Sequence, residues 1–187
     1  MGKVLITGTG RSGTSFLIQL MSFLDMETGY NKNVTPEQHP PYNIRNINAG
    51  LENQPLTNNK VRIHKAPGFA LEMDSIIKIY NIEHVIIPIR DLTDSAMSRV
   101  KFNLLWGGSN DLESQKTFNS ELLYNLIHIL VRDNIPHTFL PFPEIIYNEN
   151  IIYDKLYWLF KEYSINKEEY LSAFNQLKDF NKISIKK

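Results

Sequence analysis

Short apolar runs alternate along the chain with segments whose apolar residues recur at helical spacing. The apolar runs predict buried strands at residues 3–7, 61–64, 84–89 and 137–140. The periodic segments predict helices at residues 14–24, 70–80, 91–102, 118–132, 151–163 and 167–177. Strands that alternate with helices are typical of α/β proteins with a mostly parallel sheet. The pattern therefore predicts a three-layer α/β domain whose central, mostly parallel sheet is flanked by helices.

Residues 25–59 interrupt this alternation. The segment contains Pro36, Pro40, Pro41 and Pro55, many asparagines, and no clear hydrophobic period. Long irregular segments inside compact domains are usually functional or disordered. We expect residues 29–59, together with a loop at 106–111, to form the walls of a substrate pocket.

Length, charge and composition narrow the classes of protein that are possible. The chain has 187 residues, which suits a single domain over residues 1–187. Its formal net charge is zero, so it lacks the basic balance of proteins that bind nucleic acid. No cysteine is present, which excludes disulfides, thiolate metal ligands and thiol nucleophiles. The apolar stretches are too short for a membrane span, and no leader is visible, so we expect a cytoplasmic protein.

A glycine-rich loop, residues 8–15, joins the first predicted strand to the first predicted helix. Its sequence is GTGRSGTS. Glycines at positions 8, 10 and 13 allow sharp turns and a close approach of the backbone to a phosphate. The N–H groups at the start of the following helix favour negative charge. The loop therefore predicts a phosphate-binding site.

Two well-known phosphate-binding patterns match this loop only in part. The nucleoside-triphosphatase pattern requires Lys where Thr14 stands, which disfavours a nucleotide or small-molecule kinase. The dinucleotide pattern G-x-G-x-x-G is matched, and either Asp25 or Glu27 stands near the expected acidic position. No apolar strand precedes those two acids, although an NAD(P)-binding Rossmann oxidoreductase stays an alternative. That alternative predicts a second strand near residues 27–33.

Two further patterns bear on the oxidoreductase alternative. Tyr157 with Lys161, and Tyr163 with Lys167, match the Y-x-x-x-K spacing of short-chain dehydrogenases. Both pairs lie in segments predicted to be helical, where a spacing of four residues arises easily by chance. A nucleotide-binding module without catalytic activity is a third alternative, because it would keep the loop and lack a base.

The loop and helix GTGRSGTSFL resemble the 5′-phosphosulfate loop of sulfotransferases that use 3′-phosphoadenosine 5′-phosphosulfate (PAPS). In that family a basic residue precedes Ser-Gly-Thr-Thr/Ser and an apolar helix, and Arg11 holds the basic position here. The resemblance implies a P-loop-type domain and a small family member of bacterial or viral type. It also implies that the cofactor-binding residues of the loop are Gly10, Arg11, Ser12, Gly13, Thr14 and Ser15.

A second segment, HVIIPIRDLTDSAMS, resembles the 3′-phosphate site of the same family. Sulfotransferases carry an Arg at a strand end and a Ser eight residues later, and Arg90 and Ser98 match that spacing. An Arg fork suits a phosphate, and Ser98 follows Arg90 by about two helical turns. Asp91 could cap the next helix or act as a metal-binding acid, and we prefer the cap.

A third segment, His64-Lys65-Ala66-Pro67, resembles the Lys-x-Pro element found after a strand in sulfotransferases that act on carbohydrates. There the Lys lies near the sulfuryl group. The stretch PFPEII at 141–146 resembles the aromatic, Pro and acidic residues that follow a later strand of the family. We assign no site residue to it.

The resemblance implies transfer of a sulfuryl group from PAPS to a hydroxyl or amine, possibly of a carbohydrate, with PAP as the other product. Arg11, Lys65 and the loop N–H groups would stabilise charge on the leaving phosphate, and no metal is required. Candidate bases are Glu37 and His39, in an arrangement similar to one in carbohydrate sulfotransferases, and His64 beside Lys65. The expected partner is a small-molecule or carbohydrate acceptor.

Overall fold

The computed structural model describes residues 2–30, 56–101 and 111–178. Its sheet has four strands, β1 Lys3–Ile6, β2 Ile63–Lys65, β3 Ile82–Ile89 and β4 His137–Pro141. All adjacent strands are parallel, and their spatial order is β2-β1-β3-β4. The helices are α1 Thr14–Phe23, α2 Phe69–Ile79, α3 Leu92–Lys101, α4 Leu112–Arg132, α5 Glu144–Tyr147, α6 Glu149–Lys155, α7 Tyr157–Glu162 and α8 Lys167–Leu177.

Both faces of the sheet are covered, which explains the apolar runs of the two central strands, β1 and β3. Val4 and Ile6 of β1 pack with α1 and α6–α8 on one face. Leu5 of β1 packs with α2 and α4 on the other face. Side chains that alternate along a strand thus fill two separate cores. The predicted three-layer α/β domain with a parallel sheet is confirmed.

The helices differ from the prediction in three main respects. Helix α4 begins six residues before position 118, because Asp111 caps it by accepting a hydrogen bond from Ser114 N at 2.8 Å. The helix predicted at 151–163 is two helices, α6 and α7, which meet at Leu156 with φ −111°. The short helix α5 after β4 was not predicted.

Strand order creates a crevice at the carboxyl edge of the sheet. The chain leaves β1 toward β2 on one side and leaves β3 toward β4 on the other side, while β1 and β3 are neighbours. In open parallel sheets, ligands bind where two adjacent strands send their connections in opposite directions. The glycine-rich loop follows β1 and Arg90 follows β3, so both lie at this point.

The amino edge of the sheet is held together by charged groups. Arg62, just before β2, donates to Glu162 Oε1 at 2.5 Å and to Glu83 Oε1 at 2.7 Å. Lys3 Nζ donates to the carbonyl oxygen of Val61 at 2.6 Å. These contacts link the starts of β1, β2 and β3 to the end of α7. Among the described residues, no helix has both the length and the apolar character that crossing a membrane requires.

Candidate anion-binding site

The glycine-rich loop has the backbone of an anion cradle. Gly8 and Gly13 have φ of +134° and +97°, and Arg11 between them also has a positive φ of +68°. Gly13 caps α1, whose first residue is Thr14. Ser12 Oγ donates to the Thr9 carbonyl at 2.6 Å and ties the loop to itself. The first N–H groups of α1 therefore face the carboxyl edge of the sheet, where a helix start favours negative charge.

Three side chains singled out in the sequence meet at this loop. Arg11 Nε donates to Ser98 Oγ at 3.0 Å, across 87 positions of the chain. Arg90 Nη1 donates to the Arg11 carbonyl at 2.9 Å, across 79 positions. Arg90 comes directly after β3 and Ser98 lies in α3, so the two flanking elements bring both side chains onto the loop after β1.

The two guanidinium groups raise the local positive potential. Burial lowers the pKa of Arg11, and the nearby charge of Arg90 lowers it further. Burial likewise lowers the pKa of Arg90, while Asp94 and Asp91 act in the opposite direction. Burial is the largest cause of both shifts, so each guanidinium has lost part of its contact with water. A phosphate or sulfate at the loop would offset the repulsion between the two groups through charge-assisted hydrogen bonds.

Phe142, the residue after β4, closes one side of the loop. A Cβ atom at Gly13 would lie 2.5 Å from Phe142 Cδ2, so the ring lies against the bare backbone of this glycine. The Arg90 guanidinium lies 5.4 Å from the centroid of the same ring. Phe142 belongs to the PFPEII stretch, to which the sequence analysis assigned no site residue. Its aromatic character at a strand end was the available signal.

The segment that contains Lys65 lies beside the start of the loop. Ala66 N donates to the Ile6 carbonyl at 3.2 Å, and Thr7 Oγ1 donates to the Ala66 carbonyl at 2.9 Å. Lys65 is the last residue of β2, is buried, and pairs with Ile6 in the sheet register. Its backbone is therefore fixed at the carboxyl edge, where β1 lies between it and the end of β3, which Arg90 follows.

His64 is placed differently from Lys65. Its ring is fully buried, lies on the opposite face of the sheet, and contacts the Val61 carbonyl through Nε2 at 3.0 Å. A ring so enclosed is poorly placed to take a proton from an acceptor, so the geometry disfavours His64 as a base. The other two candidate bases, Glu37 and His39, lie outside the described residues.

Four buried polar residues behind the loop were missed by the sequence analysis. They are Ser95, Arg99, Gln115 and Asn119. Serine and asparagine in predicted helices usually lie on a solvated face, so their types gave no signal. The spacing of residues 95 and 99 did carry one, because both lie in the helix predicted at 91–102 and share a face of it. Gln115 lies outside the helix predicted at 118–132, so its pairing with residue 119 could not be predicted.

The structure also bears on the patterns that favoured other classes. Asp91 Oδ1 accepts from Asp94 N at 3.0 Å, which confirms the predicted helix cap. Tyr163 donates to Glu27 Oε2 and lies beside Arg62 at the amino edge, away from the loop. Residues 27–30 form no strand, and the rest of the second strand predicted by the oxidoreductase alternative lies outside the described residues.

Neither the metal-binding side chains of the described residues nor comparison with known proteins indicates a function. Within residues 2–30, 56–101 and 111–178, no group of three His, Asp or Glu side chains is arranged to hold a metal ion. Comparison of the chain with models of known protein families and with curated proteins finds no match. The function must therefore be argued from the site itself.

Proposed function

We propose that the protein transfers a sulfuryl group from PAPS to a hydroxyl or amine acceptor. The observation that carries the proposal is the meeting of Arg11, Arg90 and Ser98 at the glycine-rich loop. The residues were chosen from the sequence by their resemblance to the two phosphate sites of sulfotransferases. Their convergence requires the loop after β1 and the β3–α3 segment, which are 79 to 87 positions apart in the chain, to fold onto one crevice.

The nucleotide would use both halves of this arrangement. The 5′-phosphosulfate would accept hydrogen bonds from the loop. The donors would be the backbone N–H groups from Gly10 to Ser15, the hydroxyl groups of the loop and the Arg11 guanidinium. The 3′-phosphate would lie against Arg90 and Ser98. Ser98 Oγ accepts from Arg11 Nε in the structure, so the hydroxyl lies beside a guanidinium group at the edge of the loop.

Transfer requires one bond to form and one to break. The acceptor oxygen or nitrogen attacks the sulfur, and the bond between the sulfur and the 5′-phosphate oxygen breaks. Negative charge then grows on that oxygen, where the loop N–H groups, Arg11 and Lys65 would stabilise it. The proton of the acceptor passes to a base, for which Glu37 and His39 stay the predicted candidates. A carbohydrate hydroxyl stays the expected acceptor, on the resemblance of the Lys65 segment.

The same loop leaves two alternatives for the experiment to separate. An NAD-binding site would place an acidic residue at the end of the second strand, whereas β2 ends in Lys65. A basic residue there would suit NADP better than NAD, so NADP is the stronger dinucleotide alternative. A kinase would need another cation in place of the lysine that Thr14 replaces.

Thermal unfolding with PAP, NAD, NADP and ATP–Mg tests the proposal. A ligand at about 100 times its dissociation constant adds about 2.7 kcal/mol of stability. For a chain of this size, that corresponds to a rise in Tm of about 5–10 °C. We expect this rise with PAP. A rise with NADP or ATP–Mg and none with PAP would refute the proposal.

Two variants show whether the rise comes from this site. Arg90→Gln removes one guanidinium from the crevice and should abolish most of the PAP-dependent rise. Arg132→Gln is the matched control, because Arg132 is exposed at the far end of α4 and pairs with Asp74 and Asp133. Equal loss in both variants would place PAP binding elsewhere on the surface. Formation of a sulfated product from PAPS and a panel of sugars and phenols would then identify the acceptor.

A further inference from the structure

Helices α3 and α4 contribute a group of buried polar side chains that lies next to the glycine-rich loop. We call Ser95, Arg99, Gln115 and Asn119 the polar layer; each is at most 2% exposed. Apolar residues would normally occupy such positions between two packed helices, as they do between α2 and α4. The polar layer is thus a local departure from the packing of the rest of the domain, next to the anion site.

One half of the layer holds a carbonyl of the loop. Ser95 Oγ donates to the Gly10 carbonyl at 2.9 Å, and Asn119 Nδ2 donates to Ser95 Oγ at 3.3 Å. A serine hydroxyl has one proton, so its use on Gly10 fixes the direction of the Asn119 amide. Asn119 Oδ1 is then buried with no hydrogen-bond partner among the described residues. An unsatisfied buried acceptor opposes folding, so its presence points to a role other than stability.

The other half of the layer holds Arg99 under the same residue of the loop. Arg99 Nε donates to Gln115 Oε1 at 2.5 Å, and the guanidinium lies 5.6 Å from the centroid of the Phe118 ring. A Cβ atom at Gly10 would lie 2.8 Å from Arg99 Nη1. The guanidinium therefore lies against the backbone of the loop, and a side chain at position 10 would displace it from this place.

Burying a cation is costly, and apolar residues of similar volume often serve stability as well or better. Arg99 lies just below the part of the loop that precedes the start of α1, where the proposed 5′-phosphosulfate would bind. Gln115 and Phe118 hold its orientation, so little reorganisation is needed when an anion arrives. The resemblance used above covers Arg11, Arg90 and Ser98 and assigns nothing to Arg99.

We propose that Arg99 is a positioning residue for the 5′ side of the anion site, an inference that rests on the proposed function. It fixes the loop at Gly10 and places a third positive charge behind it. Gln115 and Asn119 support this arrangement from α4. The inference predicts that Arg99 contributes to the binding of a 5′-phosphate and contributes little to the binding of a 3′-phosphate.

Calorimetric titration with PAP, 5′-AMP and 3′-AMP tests this prediction. In Arg99→Met, which keeps the aliphatic volume, we expect affinity for PAP and 5′-AMP to fall about tenfold or more, as for loss of a contact to a charged group. Affinity for 3′-AMP should stay within about twofold, because Arg90 and Ser98 are intact. Arg99→Lys, which restores the charge without the fork, should recover part of the loss. Arg132→Met is the matched control and should change none of the three affinities.

A second variant separates loop positioning from folding. Asn119→Leu removes the unsatisfied buried acceptor, so we expect its Tm to stay the same or rise while affinity for 5′-AMP falls. An equal loss of affinity for all three nucleotides in Arg99→Met, or no loss for any, would overturn the inference. A fall in Tm with unchanged affinity in both variants would overturn it as well, since the layer would then be structural.

The proposed function and this inference can fail separately. If the unaltered protein does not bind PAP, the proposed function is wrong, and inorganic pyrophosphate becomes the probe for the loop. Pyrophosphate binding that Arg99→Met weakens about tenfold would then uphold the role of Arg99 at an anion site of another kind. Failure of the unaltered protein to bind either probe would overturn both proposals.

Discussion

Replacing Gly13 with alanine adds one methyl group at the most constrained position of the loop. The backbone there has φ of +97°, and a left-handed conformation costs an L-residue about 1–2 kcal/mol. The new Cβ would also lie 2.5 Å from Phe142 Cδ2 and 2.9 Å from Cε2, so the ring must move. Overpacking of this kind costs about 1–3 kcal/mol. We therefore expect Gly13→Ala to lower the free energy of unfolding by about 2–5 kcal/mol.

Urea denaturation of a double-mutant cycle measures the two contributions separately. Phe142→Ala removes the ring, so the double variant should be about 1–3 kcal/mol more stable than the sum of the single variants predicts. Gly8→Ala is the control, because it also has a positive φ but its Cβ would be 3.4 Å from Ile87 Cγ2, an ordinary contact. It should show no coupling to Phe142. Additive effects of Gly13→Ala and Phe142→Ala, within about 0.5 kcal/mol, would refute the reasoning.

Three further predictions address the anion site, the pH dependence and the amino edge. Ser98→Ala should weaken PAP binding about tenfold and leave 5′-AMP binding unchanged in calorimetry, since the hydroxyl serves the 3′-phosphate; equal losses would contradict its assignment. Burial lowers the pKa of His84 to about 4, so the unfolded chain binds more protons between pH 6.5 and 4, and stability should fall as the pH drops through that window. His84→Gln should flatten this slope in urea titrations, and an unchanged slope would assign it to another group. Arg62→Met should lower the free energy of unfolding, measured with urea, by about 1–3 kcal/mol and leave PAP affinity unchanged. The loss is limited because Glu162 is half exposed and regains water.

The layers of the fold could be predicted because strands that are buried on both faces are rich in apolar residues. All four strands overlap the short runs that indicated them. The break between α6 and α7 at Leu156 could not be predicted, because the aromatic residues on both sides keep a helical period across it. There the Tyr153 and Phe160 rings stack and the Tyr170 ring packs tilted against both, so packing between helices sets the path of the chain.

Some residues of the candidate site could likewise be predicted from the sequence and others could not. Arg90 was predictable because it follows a strand that ends at the carboxyl edge, and topology brings such ends together. Arg99 was not, since only the packing of α3 against α4 buries it and turns it toward Gly10. The sequence offered His64 as a candidate base because it stands beside Lys65, although alternation along β2 sends the two side chains to opposite faces of the sheet.

The parallel order of the strands also determines when the anion site can form during folding. Its hydrogen bonds join Arg11 to partners 79 and 87 positions away, so no fragment that ends before α3 contains all three of these residues. Contacts of such sequence separation form slowly, because the entropy of closing a long loop must be lost first. During synthesis the glycine-rich loop emerges before β3 and α3, which carry Arg90 and Ser98, so the site forms only after those elements have folded onto it. If the protein binds PAP as proposed, binding would report completion of the central β1–β3 pairing, and PAP would serve as a probe of late folding.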